Sequence, residues 1–261
     1  MSKQKKILTG ILAVCIIAVA FFATLLIREL IIDDRSRSFY EDLAAGVERR
    51  PDNTNSNGTS TDGTQPGQSG DANVWEPYLN FYAFEQLIPG IVGWIKLDGT
   101  PIDYPVMQYT DNDFFLTRLP DGTEHRNGSI FLDYRNNSDF SDKSILIYGH
   151  ATGTGDMFGV FKNYRDQDFY EANPVINLYT PERDYKIVLF AGHVAHSVRD
   201  HPPPHFESDE EFLAYIDHLK SISVFDSTTE VTATDRIISL VTCTYDFNDA
   251  RLILVGILID T

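Results

Sequence analysis

Cysteine is nearly absent from this chain. Of two cysteines in 261 residues, Cys15 lies inside an apolar run near the N-terminus and Cys243 stands alone in the remainder. A pair so divided excludes an intrachain disulfide and any disulfide-built scaffold. Basic residues are scarce as well, 21 Lys and Arg against 38 Asp and Glu. Four of them, Lys3, Lys5, Lys6 and Arg28, flank the apolar run, which leaves 17 basic against 38 acidic residues beyond it, a net charge of −21. Such a surface repels nucleic acid and anionic lipid and favours cationic or amine-bearing partners. Internal repeats are lacking too. From Arg50 to Asn73 there is no large apolar side chain, only Asn, Thr, Ser, Gly, Asp, Gln, Pro and their like. That stretch has nothing to bury and reads as a flexible stalk.

Charge is missing altogether from Ile7 to Ile27, a run of 21 residues. As a helix it measures roughly 31 Å at ~1.5 Å per residue, enough to cross a hydrocarbon core of about 30 Å. The lysines before it place the N-terminus in the cytoplasm and the rest of the chain outside. Ala18-Val19-Ala20 offers a signal-peptidase site. The apolar region is longer than the ~7–15 residues of a signal peptide, however, and it continues past that site, which favours an uncleaved anchor. The expected organisation is a cytoplasmic tip and transmembrane anchor over 1–28, a juxtamembrane segment and stalk over 29–73, and an extracellular catalytic domain over 74–261. The protein is thus expected at the cell membrane as a single-pass chain, and Glu29 to Arg49 is expected to prolong the anchor helix by a few turns.

With 43% hydrophobic residues the chain has ample material for a core. Pro77 to Ile88 predicts a short helix. Eight stretches rich in β-branched or aromatic residues, each bounded by Gly, Pro, Asn or Asp, predict strands: 92–97, 102–107, 128–132, 145–148, 175–179, 185–194, 236–241 and 251–259. Eight strands suggest a mainly β fold closed into a barrel. Two further helices are expected, over Asp156–Tyr164 and Ser208–Leu219, the second opened by a capping box in which Ser208 pairs with Glu211.

Chemistry concentrates near the end of the chain, in Ser239-Leu240-Val241-Thr242-Cys243 followed eight residues later by Arg251. Ile147-Tyr148-Gly149-His150 ends an earlier strand in the same way. If 236–241 and 251–259 pair as a hairpin, Cys243 and Arg251 meet at one rim of the barrel. An unperturbed thiol, with a pKa of about 8.5, is only roughly 3% thiolate at pH 7, so it needs a base or an electropositive setting. His150 supplies either. Arg251 keeps its proton and cannot act as a base, but its five donors suit an oxyanion.

The Leu-Val-Thr-Cys segment with its downstream Arg, the Tyr-Gly-His segment and the N-terminal anchor with stalk together resemble a sortase, and more narrowly class B. Ser239 replaces the first Thr of the usual Thr-Leu-X-Thr-Cys pattern and keeps a hydroxyl. The helical insertion at Ser208–Leu219 before the penultimate strand, the Met157-Phe158 pair and the Gly128-Ser129-Ile130-Phe131 run also look like class B. The resemblance covers roughly residues 80–261. It implies an eight-stranded sortase barrel with an N-terminal helix, and a Gram-positive cysteine transpeptidase with Cys243 as nucleophile, His150 as acid/base and Arg251 as oxyanion stabiliser. A C-terminal sorting signal on surface proteins would be cut after Thr, a thioester formed, and the acyl group passed to a peptidoglycan or pilin amine. Tyr148 and Thr242 would touch substrate.

Two other readings use the same residues. A hydrolytic cysteine peptidase would let water take the acyl group, although the papain-like order and signature are absent. A stalked binding or adhesion module would need no reactive thiol. His193, His196, His201 and His205 form a histidine-rich tract, but His193 and His196 fall on opposite faces of a strand and Pro202-Pro203-Pro204 stiffens the loop, so no metal and no cofactor are expected.

Overall fold

The computed structural model describes residues 3–45, 79–152, 154–196, 200–243 and 249–261. The stalk expected over 50–73, and the domain start expected at 74, lie outside them. The chain falls into two units, Met1–Ala45 and Gly46–Thr261.

The first unit is one helix, α1 (Lys3–Ala45). Its apolar stretch is long enough to cross a membrane, and Ile16, Ile17, Phe21, Phe22 and Leu26 are all exposed along it. The hydroxyl of Thr24 donates back to Ala20 O at 2.7 Å, which satisfies a polar group on an apolar helix. At 43 residues α1 is about 65 Å long, so the helix runs well beyond the uncharged segment.

The second unit opens with α2 (Phe81–Leu87), where Asn80 Oδ1 accepts from Ala83 N at 3.1 Å as the N-cap. Eight strands follow: β1 (Ile91–Lys96), β2 (Asp103–Met107), β3 (Ile130–Leu132), β4 (Ser144–Tyr148), β5 (Val175–Tyr179), β6 (Asp184–His196), β7 (Ile237–Cys243) and β8 (Ala250–Asp260). They are the eight that the sequence predicts, with ends moved by at most two residues. They close in the order β1-β2-β3-β4-β7-β8-β6-β5. The β2/β3 and β4/β7 pairs are parallel and the others antiparallel.

The strands β7 and β8 carry continuous rather than alternating apolar runs because both of their faces are covered. Leu240 and Leu254 are fully buried, while Ile237, Val241, Ile253, Val255 and Ile257 join a cluster with Phe212, Ile216 and Leu219 of α4 (Asp209–Ser221). A bulge between Leu189 and Ala191 shifts the phase of β6, so that the consecutive Phe190 and Ala191 both enter that cluster. Ser208 caps α4, its Oγ accepting from Glu211 N at 3.2 Å. The expected reciprocal half of the capping box is displaced by one residue, since Glu211 Oε2 accepts from Glu207 N at 2.6 Å.

Two expectations need correction. The segment foreseen as a helix over Asp156–Tyr164 is a 3-10 helix over Phe158–Arg165. Its apolar residues Phe158, Phe161 and Tyr164 recur every third position, and with three residues per turn they line up on one buried face. Adjacent rings lie 4.3 and 6.1 Å apart. Met157, at φ 54°, keeps Asp156 out of the helix. After it comes α3 (Gln167–Ala172), which is too short to show a periodicity and was not foreseen.

Candidate active site

Because β4 and β7 run parallel at a constant offset, from Ser144↔Ile237 to Tyr148↔Val241, they end at the same rim. The ladder continues past β4, with Gly149 N donating to Val241 O at 3.0 Å. Two residues beyond the last pair, the same offset brings His150 level with Cys243. On its other side Cys243 is the Cα partner of Arg251, and Arg251 is in turn the partner of Ala195 on β6. The hairpin that the sequence suggests is therefore present, and three strands and one strand end gather the backbones of His150, Cys243 and Arg251.

A cavity of about 290 Å³ opens here, lined by Leu116, Tyr148, His150, His201, Thr242 and Arg251 among others. His150 is held from three directions. Its Nε2 is 2.7 Å from Leu116 O, its own carbonyl accepts from Phe158 N at 2.9 Å, and Gly149 before it is tied to β7. A carbonyl oxygen only accepts, so Nε2 carries a proton and the lone pair of the neutral ring lies on Nδ1.

Glycine is required on both sides of this arrangement. A Cβ on Gly149 would come within 2.6 Å of the Phe158 ring that backs the histidine. Gly128, at φ 52°, packs against the carbonyls of Phe115 and Leu116, and Ser129 N donates to Phe115 O at 2.9 Å. This fixes the 3-10 turn Phe115–Thr117 that presents Leu116 O.

The half-buried Arg251 donates one hydrogen bond among the described residues, from Nη1 to Ala250 O at 3.0 Å. Most of its donors therefore have no partner among those residues. Thr242 is buried at 2% exposure in the cavity wall, and its Oγ1 has no partner among the described residues.

Behind this rim lies a group that sequence reasoning missed. Asp133 is buried directly after β3 and accepts from Arg135 Nε and Nη2 at 2.8 and 2.7 Å, from Asn112 Nδ2 at 3.0 Å and from Tyr148 Oη at 2.9 Å. Burial pushes its carboxyl up, but these hydrogen bonds outweigh it and hold the pKa at about 2. Burial, then the Asp133 charge, pushes the Tyr148 phenol well above its ordinary value. The only sequence signal for this group was an acid followed two residues later by Arg, a pattern too common to single out. Leu116 carried no signal at all, because it acts through its backbone oxygen.

The histidine tract separates in the fold. His193 is buried under α4, where burial, then His218, lowers its pKa to about 4. His196 and His201 line the cavity, whereas the exposed His205 contacts Glu207 at 3.3 Å. Among the described residues no three His, Cys, Asp or Glu side chains gather as metal ligands.

No family model matches the chain. Two curated proteins do. It is 34% identical over 177 residues to sortase B of Listeria monocytogenes, covering 67% of this chain and 72% of that one. It is 33% identical over 178 residues to sortase B of Staphylococcus aureus, covering 67% and 73%. Among solved structures, the S. aureus sortase B–substrate complex superposes with a TM-score of 0.66 at 33% identity, over 69% of this chain and 85% of that one. Sortase B of Bacillus anthracis superposes with a TM-score of 0.68 at 27% identity, over 90% and 96%. With this likeness in sequence and in the closed eight-stranded barrel, the chain belongs to the sortase B family and is a sortase-type cysteine transpeptidase.

Proposed function

We propose that this transpeptidase cuts a C-terminal sorting signal after its threonine, holds the acyl group as a thioester on Cys243 and passes it to a cell-wall amine. The observation that carries the assignment is that β4, which His150 follows by two residues, runs parallel to β7, which ends on Cys243, while Arg251 is the partner of Cys243 across the hairpin. In the first step the thiol gives its proton to His150 Nδ1 and sulfur attacks the threonine carbonyl carbon. A C–S bond forms as the carbonyl electron pair moves onto oxygen, where the Arg251 guanidinium stabilises it. Collapse of the tetrahedral species breaks the C–N bond, and the proton on His150 passes to the leaving amine. In the second step the acceptor amine attacks the thioester, His150 takes its proton, and the amide forms as the thiol is restored. Throughout, Leu116 O steadies Nε2–H, and Tyr148 and Thr242 contact the signal.

The apolar stretch of α1 anchors the chain, with 1–28 as cytoplasmic tip and span, 29–73 as juxtamembrane segment and stalk, and 74–261 as the extracellular catalytic domain. The acidic exterior suits an amine-bearing acceptor on peptidoglycan or a pilin.

The test is incubation with peptides carrying Asn-Pro-X-Thr-Asn, Ser-Pro-X-Thr-Gly or Leu-Pro-X-Thr-Gly, with and without amine acceptors. Cleavage of one class with amine-dependent ligation, lost in Cys243→Ala and in His150→Ala, is the expected result. Cleavage that ignores added amine would make the chain a hydrolytic peptidase, and full activity in Cys243→Ala would remove the thiol from the reaction.

A further inference from the structure

The segment 200–208 that leads into α4 is pinned along β4 at two points. Ser144 Oγ, at the start of the strand, donates to Pro203 O at 2.6 Å. At its end, Tyr148 Oη lies 3.1 Å from His201 Nε2. At and beside the pins, Pro202, Pro203 and Pro204 have fixed φ and no N–H, so this stretch is stiff and donates no backbone hydrogen bonds. On one side Asp200, His201 and Pro202 line the cavity at the catalytic rim. On the other, Asp200 and His201 border a second cavity of about 300 Å³ with His193, Tyr215 and His218. The loop is therefore a partition with open volume behind it.

Counting protons shows what holds this partition. Tyr148 has a single O–H, and the carboxylate of Asp133, 2.9 Å away, can only accept it. His201 Nδ1 is 2.8 Å from Pro202 O, which also only accepts. For all three contacts to stand, both ring nitrogens of His201 must donate, Nε2–H to Tyr148 Oη and Nδ1–H to Pro202 O. That species is the imidazolium. A neutral ring has one proton to give, so one contact is lost or becomes two lone pairs facing each other.

We propose that His201 is a positioning residue of the substrate groove: protonated, it clasps the loop to Tyr148 and completes the groove wall, and neutral, it releases the wall toward the cavity behind. This rests on reading the cavity as the groove for the sorting signal. The groups that face the clasp are Asp133 and Arg135 from beyond β3, Tyr148 from β4 and His150 just after it, His193 and His196 from β6, Asp200 beside it, His218 from α4, and Arg251 from β8. Arg135 is paired with Asp133, and His193, with its pKa lowered to about 4 by burial and then by His218, is neutral across the range of interest.

The test uses the full chain in detergent, as Cys243→Ala so that no turnover occurs, with the three sorting peptides labelled for anisotropy. Between about pH 5 and about pH 8 peptide affinity should fall about tenfold, the scale of one charge-assisted hydrogen bond. His201→Gln, whose amide donates at any pH, should bind tightly throughout, and His201→Ala weakly throughout. An unaltered pH dependence in His201→Gln overturns the clasp. Amide exchange at His205 and Phe206 in peptide-free protein, compared between variants at equal pH, decides the matter without substrate. His201→Gln should protect these amides at both pH values, and His201→Ala and Tyr148→Phe should expose them at both. Equal exchange in all variants refutes the proposal, whereas failure of every peptide to bind refutes only the reading of the groove.

Discussion

Arg251 and Asp133 are both charged residues near the rim, but they make opposite demands on a substitution. Arg251 donates one hydrogen bond among the described residues, to Ala250 O, so little of its charge is engaged by those residues. Lysine keeps the charge and loses the planar fork, and Arg251→Lys should lower the acylation rate roughly 10²–10³-fold, about 2.7–4 kcal/mol, with little change in melting temperature. Near wild-type acylation in a stable variant would take Arg251 out of the mechanism. Asp133 is the reverse case, since its carboxylate is fully engaged by Arg135, Asn112 and Tyr148. Its pKa is lowered from 3.8 to about 2, so the stabilisation is present above pH ~4 and is lost as the pH falls toward ~2. The size is about 2 kcal/mol. Asp133→Asn should therefore be less stable at neutral pH and should lack that part of the parent's acid lability, as read from urea unfolding at a series of pH values. Identical acid profiles would show that the carboxylate contributes nothing.

At the scale of elements, α4 is the piece whose stability should bear directly on the cavity at the rim. It covers the outer face of β6, β7 and β8 through Phe212, Ile216 and Leu219, and Asp200, His201 and Pro202 of the segment before it line the cavity at the rim. Its first turn depends on Ser208 Oγ and carries Asp209, Glu210 and Glu211 beside the positive end of the helix dipole. Ser208→Ala should cost about 1 kcal/mol in unfolding free energy. Equal stability would mean that Glu211, bonded to Glu207 N, caps the helix unaided. The sequence pattern made the cap legible because it depends on residues within one turn. The 3-10 helix over Phe158–Arg165 was harder to read, since apolar residues three apart fit an α-helical face almost as well until the positive φ at Met157 and the aligned rings decide between them.

For the molecule as a whole, the barrel and α1 form separate units, and a catalytic domain that needs no anchor should fold alone. A fragment from residue 74 onward should be soluble and unfold cooperatively in a thermal or urea melt, because the 50–73 stretch has nothing to bury. A broad, non-cooperative transition would move the domain boundary upstream. The barrel closes through β4/β7 and β6/β8, pairings between segments tens of residues apart. Its integrity is therefore a property of the closed sheet more than of any one hairpin.

Much of this was legible in the amino-acid order. The uncharged run from Ile7 to Ile27, the eight strands, the Ser208 cap and the pairing of Cys243 with Arg251 across a short hairpin all depend on neighbours within a few residues, where periodicity, turn chemistry and capping leave a signature. The tertiary structure alone decided that His150 stands level with Cys243, because that follows from a parallel pairing of β4 with β7 which no local pattern encodes. It also decided that Leu116 offers His150 a carbonyl, a group every residue carries, and that Asp133, Tyr148 and His201 form one chain of hydrogen bonds. These contacts join segments far apart in sequence, and only closure of the barrel brings them within hydrogen-bonding distance.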